Sequence, residues 1–198
     1  MTTAPTIAAR IKQLLETLQQ PFLAPFLADW PPGCVHRPVT SRALPVLRWL
    51  PNITGDTAAF ADDLVAAVSR AAPLLEWRQT YTARDLGASF LDNYGWSEIV
   101  GGKGPLASER LACGFLMLGP STHYPRHRHE AEEIYVPLSG TAEWQQGDSQ
   151  WRERPPGTPI HHARNEPHAM RTVHSPLLAL YVWRSANLLQ SARLDASA

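Results

Sequence analysis

The chain lacks most of the features that announce a membrane, secreted or nucleic-acid-binding protein. Its 198 residues contain no uninterrupted apolar run approaching the ~18 residues of a membrane span. Neither charge is in excess: 18 basic and 18 acidic side chains leave a formal net charge of zero. The basic patch that nucleic acid or another polyanion requires is therefore not expected. Cys34 and Cys113 are too few for a disulfide framework and lack zinc-pair spacing, so both read as reduced core residues. The segment MTTAPTIAARIKQLLETLQQ has no basic start, apolar centre or small-residue cleavage site, so it reads poorly as a secretory signal. No internal repeat and no low-complexity segment is evident. These absences predict a cytoplasmic protein with neither a membrane nor a nucleic-acid partner.

What is present divides the chain into two textures. Ile7, Ile11, Leu14, Leu15 and Leu18 recur at helical spacing and predict an amphipathic helix over residues 6–20. Pro31, Pro32, Gly33, Pro38, Pro45, Pro51 and Gly55 then mark a loop-rich stretch. A second helix is predicted from Thr57 to Ala72, capped by Asp56, with Phe60, Leu64, Val65 and Val68 on its buried stripe and Pro73 ending it. From about Phe90 onward, short apolar runs alternate with turns. The predicted strands are Leu111–Leu118, Ile134–Leu138, Thr141–Gln145, Gln150–Arg152, Pro159–His162, His168–Val173 and Leu177–Trp183. The expected architecture is a helical N-terminal section, residues 1–85, packed on a mainly β barrel, residues 86–198.

The segment from His127 to Gly140, HRHEAEEIYVPLSG, carries the chemistry. Imidazoles and a carboxylate are ligands that divalent transition metals accept. In extended chain, side chains two apart share a face, so His127 and His129 can point at one ion. Glu133 returns after a bend, and Tyr135 lies two residues further on the same face. The spacing resembles the first metal motif of the cupin barrels, which implies a double-stranded β-helix, a jelly-roll-like barrel. A further histidine is open between two registers. Pro155-Pro156-Gly157 with His161 and Asn165 fits the second cupin motif only with one insertion. Pro167-His168-Ala169-Met170 resembles the Pro-His-Ala at which many cupins place their last ligand, and His168 is preferred. Three imidazoles and one carboxylate would leave positions open for substrate on a single divalent ion, whether Zn, Fe, Mn, Co or Ni.

Four segments resemble the cupin-type dimethylsulfoniopropionate (DMSP) lyases more closely: NYGWSEIVGGKGP (93–105), YPRHRHEAEEIY (124–135), PHAMRT (167–172) and LALYVW (178–183). The resemblance implies His127, His129, Glu133 and His168 as metal ligands, Tyr135 as catalytic base and Tyr124 as a second active-site tyrosine. It also implies cleavage of DMSP, a small sulfonium carboxylate, to dimethyl sulfide and acrylate. That β-elimination needs a base for the proton α to the carboxylate and a place for negative charge, while the neutral thioether leaves without a general acid. The sulfonium can rest on aromatic faces, with Tyr124, Trp183, Tyr181, Tyr94 and Trp96 as candidates. Lys103 in the GGKGP loop is a possible partner for a carboxylate. Glu130 and Glu132 are expected to face solvent. Two other readings share the motif: another cupin enzyme, an isomerase or Fe-dependent dioxygenase, and a non-catalytic small-ligand-binding cupin. Cupins often form homodimers, and this chain is expected to be able to do so.

Overall fold

The computed structural model describes residues 3–33, 35–53 and 58–195. The first helix, α1 (Ala4–Leu18), has a proline in its first turn and ends at Gln19, whose φ of 50° is left-handed. Its buried stripe is the expected one: Ile7, Ile11, Leu14 and Leu15. A short α2 (Ala24–Ala28) follows. The second predicted helix is shorter than its pattern implies. A 3₁₀ turn occupies Ala59–Ala61, α3 spans Asp62–Ala71, and another 3₁₀ turn over Ala72–Leu74 absorbs Pro73. The assigned cap, Asp56, and Thr57 lie outside the described residues. Phe60 leaves the helical register with the 3₁₀ turn and is exposed rather than buried.

A further helix, α4 (Ala83–Asp92), is absent from the sequence reading because it has almost no apolar stripe and buries only Phe90. Its signature was local: Thr82 and Asp85 form a capping box. Gly87, at φ +80°, breaks the helix midway.

Two antiparallel sheets make the barrel. The first holds β1 (Trp77–Arg78), β2 (Tyr94–Gly101), β4 (Leu111–Leu118), β11 (Leu177–Arg184), β6 (Glu132–Ser139) and β9 (Ile160–His162) in that order, with β3 (Leu106–Ala107) beside β2 in parallel. The second holds β12 (Arg193–Leu194), β5 (His123–Arg128), β10 (His168–Thr172), β7 (Ala142–Gln146) and β8 (Arg152–Arg154). The chain passes back and forth between the sheets, the double-stranded β-helix of the cupin fold.

The first sheet is buried on both faces, which explains why β4, LACGFLML, is apolar throughout instead of alternating. Cys113, Phe115 and Met117 on its outer face join Ile7, Ile11, Val65 and Val68 in the core beneath the helices. Leu116 and Leu118 point inward with Tyr94, Tyr124, Tyr135, Trp144 and Tyr181, filling the barrel. Cys113 is a buried free thiol, and Cys34 lies outside the described residues.

Candidate metal centre and active-site pocket

Local strand geometry assembles the centre. His127 and His129 lie on and just beyond β5, separated by one residue. Tyr124, three residues before His127, has the wrong parity for a regular strand to place it inside. The pairing with β10 removes the conflict: His168 opposes His127, Met170 opposes Tyr124, and the register shifts between them. The extra residue lies at Pro125 and Arg126, a β-bulge at the one residue that cannot donate to the ladder. Tyr124 and His127 are thereby both buried and stack almost flat, with ring centroids 3.9 Å apart and planes at 4°.

Glu133 and Tyr135 belong to β6, where Glu133 sits between Trp183 of β11 and His162 of β9. One carboxylate oxygen, Oε2, lies 2.9 Å from His129 Nε2 and 3.3 Å from His168 Nε2. His129, Glu133 and His168 offer ligand atoms all within 4.8 Å of one another, and all three side chains are buried. His127 flanks this tight trio, its ring 4.2 Å from His168 and 6.4 Å from His129 between centroids.

The donor set suits a divalent transition ion. In each of the three imidazoles, Nδ1 lies 2.9 Å from a backbone carbonyl: Pro125 for His127, Ala131 for His129 and Glu166 for His168. A carbonyl only accepts, so each Nδ1 carries a proton, which leaves Nε2 as the atom each ring would offer to an ion. Nε2 of His168 is buried without a hydrogen-bond partner, which suits an atom that would ligate a metal ion. The other Glu133 oxygen, Oε1, accepts from the Trp183 indole N–H at 2.5 Å, and that indole lies 4.2 Å from the His129 ring. Burial pushes the Glu133 carboxyl up, but His129 and His168 together override it and hold it well below the ordinary carboxylate range. Burial and then His168 hold the His127 imidazole well below its usual value, so it stays neutral.

A cleft of about 570 Å³, counting open solvent at its mouth, leads from this centre to the surface. His127, Glu133, Tyr124 and Tyr135 form its inner end, and Tyr94, Trp96, Tyr181 and Trp183 its walls. Burial is the main force raising all four tyrosines: Tyr94 is pushed up to about 12, and Tyr124, Tyr135 and Tyr181 rise well above the usual phenol value. For Tyr135 the Glu133 carboxylate adds to the rise.

His161 is on the outer face. Its Nε2 pairs with Glu132 at 2.8 Å and its ring stacks on Phe22, so it does not reach the centre. Glu132 accordingly is not a freely solvated side chain; it pairs with both His161 and Arg184. The inward neighbour is His162, fully buried, stacked on His168 at 4.0 Å and 17°. Its inward aspect follows from strand alternation once β9 is paired to β6, but His161-His162 alone does not say which ring faces inward. Tyr81 was also missed: it is buried and its hydroxyl lies 3.2 Å from that of Tyr124. No strand pattern surrounds it, and only tertiary packing brings it there. Glu98 lies in the cleft two residues beyond Trp96 and was likewise not singled out.

Comparison with known proteins gives concordant matches. The family model described as dimethylsulfoniopropionate lyase matches residues 32–179. The chain is 36% identical over 170 residues to dimethylsulfoniopropionate lyase DddQ of Ruegeria pomeroyi, covering 84% of this chain and 82% of that protein. A crystal structure of DMSP lyase DddQ from Ruegeria pomeroyi DSS-3 superposes with a TM-score of 0.81 at 32% identity, over 94% of this chain and 96% of that one. A structure described under the DMSP lyases RdDddP and RnDddQII superposes with a TM-score of 0.85 at 30% identity, over 98% and 100% of the two chains.

Proposed function

Because the chain belongs to the dimethylsulfoniopropionate lyase family, we propose that it cleaves DMSP by β-elimination into dimethyl sulfide and acrylate. The observation that carries the reading is the junction of the His129–Glu133–His168 cluster with a tyrosine-lined cleft. His129, Glu133 and His168, with His127 beside them, would hold the ion. When bound, a divalent transition ion supplies positive charge that offsets the Glu133 effect on Tyr135 and stabilises negative charge growing on the substrate carboxylate.

The residues of the chain account for the rest. Tyr135 is the base for the α-proton, placed by β6 two residues from Glu133 on the same face. Tyr124 is clamped between the His127 ring and the Tyr81 hydroxyl, which fixes it as a second hydroxyl at the inner end of the cleft. Trp96, Tyr181 and Trp183 stand edge-to-face in sequence, with centroids 6.4 and 6.3 Å apart, and offer aromatic faces to the sulfonium. Dimethyl sulfide leaves uncharged, so no acid is needed on that side. The protein is metal-loaded with Zn, Fe, Mn, Co or Ni in turn, incubated with DMSP, and assayed for headspace dimethyl sulfide and for acrylate. Equimolar release of both is the expected result, and no release with any of these ions overturns the proposal. No helix among the described residues is long and apolar enough to cross a membrane.

A further inference from the structure

The cleft contains a carboxylate that the proposed reaction does not use. Glu98 is 8% exposed and follows Tyr94 and Trp96 along the inward face of β2. Across the sheet it is in register with Gly114 of β4, Gly114 with Tyr181 of β11, and Tyr181 with Tyr135 of β6. One row therefore runs from the proposed base to Glu98, over three strand spacings or ~14 Å between the end Cα atoms. Gly114 bears no side chain in that row, and a Cβ there would overlap the Ser97 carbonyl and the Glu98 backbone. The bare Gly114 lets the β2 backbone close in on β4, and Glu98 and Tyr181 line the same cleft on either side of it.

The Glu98 side chain is fixed in place. Its Oε1 accepts from the backbone N–H groups of Lys103 and Gly104 at 2.5 and 2.7 Å. Burial raises the carboxyl above its ordinary value, and these two donors and the Lys103 charge pull it back toward the carboxylate form. The same corner already accommodates a cation: Lys103 Nζ lies 5.4 Å from the centre of the Trp96 ring. An aromatic wall backed by a buried anion, with an ammonium resting on it, is a site built for a positive charge.

The geometry points to Glu98 as the specificity-determining counter-charge for the cationic end of the substrate, with the Lys103 ammonium holding that place until substrate displaces it. The inference rests on the lyase reading, in which the carboxylate of the substrate lies at the Glu133 end of the cleft. A substrate a few ångström long then carries its other charge over Tyr181, between Tyr135 and Glu98. In this setting a like-shaped neutral tail gains apolar contact but forfeits the attraction of the carboxylate.

The test uses two ligands of the same shape that do not turn over readily, 3-(trimethylammonio)propionate and its uncharged carbon isostere 4,4-dimethylpentanoate. Dissociation constants are measured by calorimetry on the full chain, wild type, Glu98→Gln and Lys103→Gln. Wild type should prefer the cation. Glu98→Gln keeps an oxygen for the two backbone donors and should weaken the cation at least about tenfold while leaving the neutral isostere within about twofold. Lys103→Gln should tighten the cation and not the isostere. Equal weakening of both ligands in Glu98→Gln, an unchanged preference, or weaker cation binding in Lys103→Gln would overturn the assignment. Turnover of DMSP by wild type, assayed alongside, separates the two readings: turnover with an unchanged Glu98→Gln preference refutes only the counter-charge, whereas no turnover and no cation preference in wild type removes both.

Discussion

Replacing Trp183 by phenylalanine isolates one hydrogen bond of the proposed centre. The indole N–H donates to Glu133 Oε1 at 2.5 Å while the ring packs 4.2 Å from His129. Phenylalanine keeps an aromatic face on His129 and removes only the donor. A hydrogen bond to a charged group contributes ~1.5–3 kcal/mol, which at 1.36 kcal/mol per decade is ~10- to 160-fold in an equilibrium constant. The loss of partners that orient metal ligands typically costs ~10–100-fold in metal affinity, so the two estimates agree. Metal affinity should therefore fall by one to two decades in Trp183→Phe, measured by competition with a chromophoric chelator, with the circular dichroism spectrum unchanged. If Trp183 instead acts only as a face for the sulfonium, metal affinity stays within error of wild type and only KM rises. That outcome would refute the argument that the indole orients Glu133.

Tyr135→Phe should retain fold and metal but lose ~10²–10⁴-fold in kcat, and a variant with near-normal kcat would exclude Tyr135 as base. Because burial and Glu133 both push the Tyr135 phenol up, its basic form is scarce at neutrality, so kcat/KM should climb as pH rises; a flat profile would count against a phenolate base. His168→Ala should abolish metal retention by elemental analysis, whereas His161→Ala should leave it unchanged, since His161 is engaged on the outer surface by Glu132 and Phe22; the reverse pattern would overturn the placement of β9. In metal-free protein, burial and then His168 hold His127 and His162 well below the ordinary histidine value. The unfolded chain thus binds more protons in the window below ~6.5, and stability is lost as pH falls through it. Tm should drop from about pH 7 toward about pH 5 and drop less in His162→Phe, and a pH-independent Tm would refute the linkage.

Elements whose signal is local were legible along the chain. Helical spacing sufficed for α1, and the strands β4, β6, β10 and β11 fall within a residue or two of their apolar runs. The pairing of His127 and His129, the return of Glu133 and the following Tyr135 were equally legible, because two-residue periodicity is a property of extended backbone. The preference for His168 over His161 came from a short motif, and the structure places them inside and outside the barrel respectively.

What depends on register came only from strand pairing in the folded protein. The bulge at Pro125 brings Tyr124 inward against its parity, and pairing of β9 with β6 selects His162 as the buried neighbour of His168. The second layer of core beneath the helices erases alternation in β4. Tyr81 reaches Tyr124 across 43 positions of chain, and the row from Tyr135 to Glu98 crosses four strands. A one-residue slip in any of those pairings would turn the row to the opposite face. Side-chain identity and local spacing specify which groups can share a face, and only the hydrogen-bonded ladders between distant strands specify which groups meet.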